Sequence, residues 1–155
     1  APANVEWLAT NATRGDTDHA RWERRYVRRA VGILVAQRDG RDDRTPAAVL
    51  RALAERMARD LNVDAELREL SERQFNARLS AYRDAFLSRG QGTAALRVAQ
   101  NLLAFAGGPI RADDPVVKHG AQLVGDYVRW ASDTIRETFG AAELPEDVAP
   151  SKVGR

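Results

Sequence analysis

Apolar residues recur at three- and four-residue spacing through residue 140 and nowhere alternate in a sustained period of two, so helices are the only regular structure this pattern supports. The helix boundaries are written in turn chemistry. Thr45 followed by Pro46 supplies a cap and a first-turn proline, opening a helix with Leu50, Leu53 and Met57 on one face. Asp64 can cap the next, where Leu67, Leu70, Phe75, Leu79, Tyr82 and Phe86 keep mostly helical spacing until Gly90 stops it. Thr93 opens another through Leu96, Ala99, Leu102, Leu103 and Ala106, ended by Gly107, Gly108 and Pro109. Asp114 and Pro115 start the last, with Val117, Val124, Val128, Ala131 and Ile135 inward and Gly140 as its stop. Four such helices in chain order predict an antiparallel bundle.

Ahead of the bundle, a short helical segment over residues 4 to about 12 carries Val5, Trp7 and Leu8 and breaks at residues 14–17. Thr17 or Asp16 then caps a longer helix running to about Gln37, which ends in the polar string R-D-G-R-D-D-R, a hinge candidate. The chain therefore reads as all-α: an arginine-rich N-terminal helical arm over residues 1–44, a helical bundle of about four helices over 45–140, and a tail over 141–155. The tail contains Pro145 and Pro150 and no core of its own, so it should order only against a neighbouring subunit or a bound polymer.

The arm holds the strongest chemical signal. Residues 21–29 read R-W-E-R-R-Y-V-R-R, and at helical spacing Arg21, Arg24, Arg25, Arg28 and Arg29 fall within about 140° of arc, with Glu23 opposite. Gly32 lies in the same arc, where a missing side chain would let something approach the backbone. A solvated helix face normally mixes its signs. Here Arg21/Arg25, Arg24/Arg28 and Arg25/Arg29 are like-charge i, i+4 pairs, each costing a few tenths of a kcal/mol, so an external anion should compensate them. Phosphates suit guanidinium groups best, and nucleic acid is favoured over a merely solvated face and over an acidic protein partner. Arg14, Arg38, Arg41 and Arg44 are further candidate contacts. Trp22 and Tyr26 should pack on a neighbouring helix while the arginines face phosphate, and Tyr127 and Trp130 should belong to the bundle or to a subunit interface.

Other chemistries find little support. With 155 residues the chain is one domain's worth, and its formal net charge is only +2, so the positive charge is local. Absence of cysteine excludes disulfides, thiolate metal sites and cysteine nucleophiles. His19 and His119 stand alone without metal-ligand spacing, the glycine turns match no phosphate loop, and the serines fall inside predicted helices. No catalytic residue, metal or cofactor is expected, and the chain is not read as an enzyme. No apolar run is long enough to span a membrane. The Ala-Pro-Ala start fits removal of an initiator methionine and signal-peptide cleavage equally well.

The layout, an arginine arm before a helical bundle, resembles the major coat proteins of filamentous and rod-shaped archaeal viruses. The most specific likeness is L-R-V-A-Q-N-L-L-A-F-A-G-G-P, residues 96–109, similar to a helix ending in Gly-Gly-Pro in the rod-shaped members. The resemblance implies coat subunits paired with themselves or a paralogous partner, their N-terminal helices encasing double-stranded DNA and their bundles packed along a helical filament. A protein that must bind every sequence equally should use phosphate contacts and avoid base readout. The leading expectation is thus a nonspecific nucleocapsid protein of the virion. The alternatives are a sequence-reading helical regulator or an adaptor for an acidic protein, either of them cytoplasmic.

Overall fold

The computed structural model describes residues 2–39, 47, 48, 51, 52, 55 and 65–140, and every regular element among them is helical. Five helices are α1 (Pro2–Asn11), α2 (Thr17–Asp39), α3 (Ala65–Leu87), α4 (Ala94–Ala106) and α5 (Pro115–Ile135), the last continued by one π turn, Arg136–Gly140. Ala47, Ala48, Arg51, Ala52 and Glu55 are helical, in the stretch where Thr45-Pro46 predicts a helix. Leu50, Leu53, Met57, the Asp64 cap, Arg41, Arg44 and the tail over 141–155 lie outside the described residues.

Local signals set the boundaries as the sequence predicts. Of the two candidate caps for α2, Asp16 takes the role, its Oδ1 accepting from the His19 N–H at 2.9 Å. Thr93 Oγ1 accepts from the Leu96 N–H at 3.1 Å, and Asp114 Oδ1 from the Val116 N–H at 2.8 Å with Pro115 in the first turn. Gly107 closes α4 in the left-handed region at φ 86°, and the Gly108 N–H donates to the Leu103 carbonyl at 2.8 Å. A different device holds the α3–α4 turn. The Arg97 guanidinium donates to the carbonyls of Ala85 (2.9 Å), Ser88 (2.6 Å), Gly90 (3.1 Å) and Gly92 (2.8 Å), tying the exposed end of α3 to the start of α4.

One core joins all five helices. α2 packs on α3 and on α5, and α4 closes the ring between those two. Arg78 meets Phe105 while Arg97 reaches Ala85, so α3 and α4 run in opposite senses. Arg28 meets Tyr127 while Arg38 meets Ser132 further along, so α2 and α5 run in the same sense. The N-terminal helices precede the bundle in sequence, but in space α2 is part of it. The reason lies in A-V-G-I-L-V-A, residues 30–36, which has no polar side chain in two turns and is buried on every side. Gly32 is therefore enclosed by the protein itself, which corrects its assignment as an open approach point.

α1 docks through small residues. A Cβ on Gly108 would stand 2.9 Å from the Ala12 Cβ and 3.2 Å from its Cα, so the α4–α5 turn touches the end of α1 with no space to spare. Gly108→Val is expected to cost about 1–3 kcal/mol through forced backbone shifts. Urea denaturation reads the loss, and amide exchange should rise first over residues 2–12; unchanged exchange there would place the docking elsewhere.

Candidate nucleic-acid interface

The N-terminal half of α2 presents its arginines outward because its opposite side is core. Ala20, Val27 and Ala30 are buried, and so is Glu23, at 1% exposure. Glu23 is neutralised from α3: Arg78 Nη2 lies 2.6 Å from its Oε1 and Nε 2.8 Å from its Oε2. Arg78 is sandwiched by aromatic rings, 5.0 Å from the Tyr26 centroid and 4.8 Å from that of Phe105, and its hydrogen bond to Glu23 raises its pKa further. Burial pushes the hydroxyls of Tyr26 and, more strongly, Tyr82 above the ordinary tyrosine range. Beneath the arginine face, then, is a polar seam locked to α3.

The predicted contact residues separate into two groups. Arg21, Arg24, Arg25 and Arg28 form one ridge. Arg21 pairs with the exposed Asp18 at 2.7 Å. Arg24 has no hydrogen bond or ion pair among the described residues, and its Nε is shielded from solvent without an acceptor. The Arg25 guanidinium lies 5.4 Å from the Trp22 ring centroid, and that of Arg28 lies 5.5 Å from Tyr127 and 5.2 Å from Trp130. Stacking on aromatic faces lets like charges crowd along one helix.

The other arginines have different work. Arg29 is 7% exposed, bound to the Glu72 carboxylate at 2.8 and 3.5 Å and held 3.9 Å from the Phe75 ring centroid, so it fastens α2 to α3. Arg38 chelates Asp39 at 2.7 and 3.3 Å and donates to Ser132 Oγ at 3.0 Å. That hydrogen bond from Arg38 holds the Asp39 carboxyl below the usual carboxylate range. Arg14 is exposed, but sits in the α1–α2 turn at φ 56°, off the ridge. Arg41 and Arg44 are outside the described residues.

Aromatic placement follows the sequence reading in part. Tyr26 is buried against Phe75, with centroids 6.3 Å apart, and Trp22 covers it at 5.7 Å. Tyr127 is buried, whereas Trp130 is 49% exposed beside Arg28. Its signal was available, because position 130 falls about 120° from the Val124/Ala131/Ile135 stripe. His119 stacks on Trp7 at 4.5 Å, and His19 Nε2 lies 3.3 Å from Glu23 Oε1. Among the described residues no three potential ligands converge as a metal requires, and no helix is long and apolar enough to cross a membrane. The chain matches no family model, no curated protein and no solved structure.

Proposed function

We propose that this chain is a structural nucleocapsid protein: a virion coat subunit that wraps double-stranded DNA without sequence preference through the α2 ridge and assembles, with itself or a paralogous subunit, into a helical filament. The observation that carries the reading is the ridge itself. Four arginines share one face of a helix whose other side is anchored in the core.

From Arg21 to Arg28 the ridge covers about 10 Å at the helical rise, the axial distance of roughly three phosphates on one DNA strand. One subunit therefore neutralises few charges and binds weakly alone. Stable coverage requires many subunits side by side, which suits a coat and not a solitary regulator. A ridge of arginines lacks the Asn or Gln pairings that read adenine, and its rigid mounting favours uniform contact with a regular backbone. The resemblance to filamentous-virus coat proteins points the same way.

Electron microscopy of the protein mixed with random-sequence duplex DNA tests the proposal. Regular DNA-containing filaments are expected with the unaltered chain and none with Arg24→Glu combined with Arg28→Glu, provided the variant keeps its helical circular dichroism. Filaments of equal regularity from that variant would remove the ridge from the mechanism. Binding confined to one duplex sequence would favour a regulator, and the absence of any DNA association would favour an acidic protein partner.

A further inference from the structure

Trp130 is 49% exposed, so burial alone does not account for a tryptophan at this position on α5. What meets its ring is a cation. The Arg28 guanidinium carbon lies 5.2 Å from the Trp130 centroid and 5.5 Å from that of Tyr127. The two rings stand three residues apart on α5, the spacing that makes side chains neighbours on one helix face. Tyr127 is the fixed member of the pair: it is buried, its hydroxyl accepts from Asn4 Nδ2 of α1 at 3.4 Å, and Val124 and Ala131, a turn away on either side, are buried with it.

This arrangement sets Arg28 apart from the rest of the ridge. Arg21 pairs with Asp18 and Arg25 lies by Trp22, both on α2 itself, and Arg24 has no hydrogen bond or ion pair among the described residues. Of the four, Arg28 alone has, among the described residues, the rings of a second helix against its guanidinium. An unheld arginine samples many rotamers and loses that freedom when it grips a ligand. One that already rests on two rings has less to lose.

We infer that Tyr127 and Trp130 are positioning residues, whose rings clamp the Arg28 guanidinium at the α2/α5 edge of the ridge in the place where it meets phosphate. The inference rests on the coat reading for the anion and on the two rings for the geometry. Neither ring has to touch the polymer. Attraction between a guanidinium and an aromatic face comes from the ring's π system, so an aliphatic side chain does not replace it.

A double-mutant cycle on duplex binding at fixed salt tests the clamp. Trp130→Leu should lower affinity by about three- to tenfold, the factor that ordering one long side chain on binding represents. Its salt slope should match the wild type, because the number of charges is unchanged, whereas Arg28→Gln should lower the slope by about 0.9. Trp130→Phe, which restores a ring, should keep more of the affinity than Trp130→Leu. In an Arg28→Gln background, Trp130→Leu should change affinity by less than about twofold, since the residue it positions is gone. A full further loss in that background would mean that Trp130 acts on the polymer directly, and equal losses for leucine and phenylalanine would mean that the aromatic face is irrelevant; either result overturns the inference, as does wild-type affinity for Trp130→Leu.

A second measurement needs no nucleic acid and covers the case in which Trp130→Leu loses its helicity. The fluorescence of Trp130, taken as wild type minus Trp130→Phe, should be quenched by iodide more strongly relative to neutral acrylamide than in the Arg28→Gln background, because the guanidinium draws the anion to the ring. The same ratio with and without Arg28 would show that the cation is not held there and would refute the clamp. If the ratio falls as expected while no variant and no wild-type protein binds duplex, the clamp stands and the function proposed above fails.

Discussion

Replacement of Arg78 by alanine should destabilise the protein by about 3–5 kcal/mol, the range seen when one partner of a buried ion pair is removed. Glu23 is 1% exposed and takes both of its close hydrogen bonds from this one guanidinium, at 2.6 and 2.8 Å. Without Arg78, the carboxylate keeps, among the described residues, only His19 Nε2 at 3.3 Å, while the rings of Tyr26 and Phe105 lose the cation between them. Gln74 also loses two contacts, one to its carbonyl at 3.2 Å and one to its side-chain oxygen at 2.7 Å. Such a loss is a large part of the 5–15 kcal/mol total typical of a domain. Urea denaturation should show it as a lower midpoint, and Arg78→Lys should fall between, because an ammonium cannot grip both carboxylate oxygens in a fork. Removing both charges, as Glu23→Leu with Arg78→Met, should recover most of the deficit, since an uncompensated charge costs more than an absent pair. A single-variant loss below about 1 kcal/mol, the median for exposed pairs, would mean that water reaches the pair in solution.

That ion pair also shows where sequence reasoning stops. Caps at Thr93 and Asp114 and the Gly107 stop were legible because each depends on residues within four positions of itself. Glu23 could be placed opposite the arginines by counting along the helix, but whether that side faced water or core depended on Arg78, 55 residues away. Arg29 is the same problem reversed. It sits at the edge of the arginine arc, and only Glu72, 43 residues on, turns it from a candidate contact into a buried tie. The local sequence did contain a warning: residues 30–36 are apolar on all sides, which an exposed arm would not tolerate. Helical periodicity identifies the faces of a helix, but tertiary partners decide which of them are covered. For that reason the ridge could be found from sequence and its membership could not.

Salt dependence should divide the arginines along the line drawn by those partners. On a short duplex that limits neighbour contacts, four phosphate contacts through Arg21, Arg24, Arg25 and Arg28 predict a slope of about −3.6 for log K against log salt. Affinity would then fall roughly 150-fold between 50 and 200 mM salt. Changing Arg24 and Arg28 to glutamine should halve the slope and cut that fall to about 12-fold. Arg29→Gln should behave differently: its charge is spent on Glu72, so the slope should hold while stability drops by about 1.5–3 kcal/mol, the worth of a hydrogen bond to a charged group. Both readouts are needed, because a destabilised variant can lose binding simply by unfolding, whereas only a phosphate contact changes the slope. If Arg29→Gln lowered the slope as much as Arg24→Gln, the Glu72 tie would have to open on binding and α2 would leave α3 to meet the polymer. An unchanged slope for Arg24→Gln and Arg28→Gln would reject the ridge outright, since charges that contact phosphate cannot be removed without releasing fewer counterions.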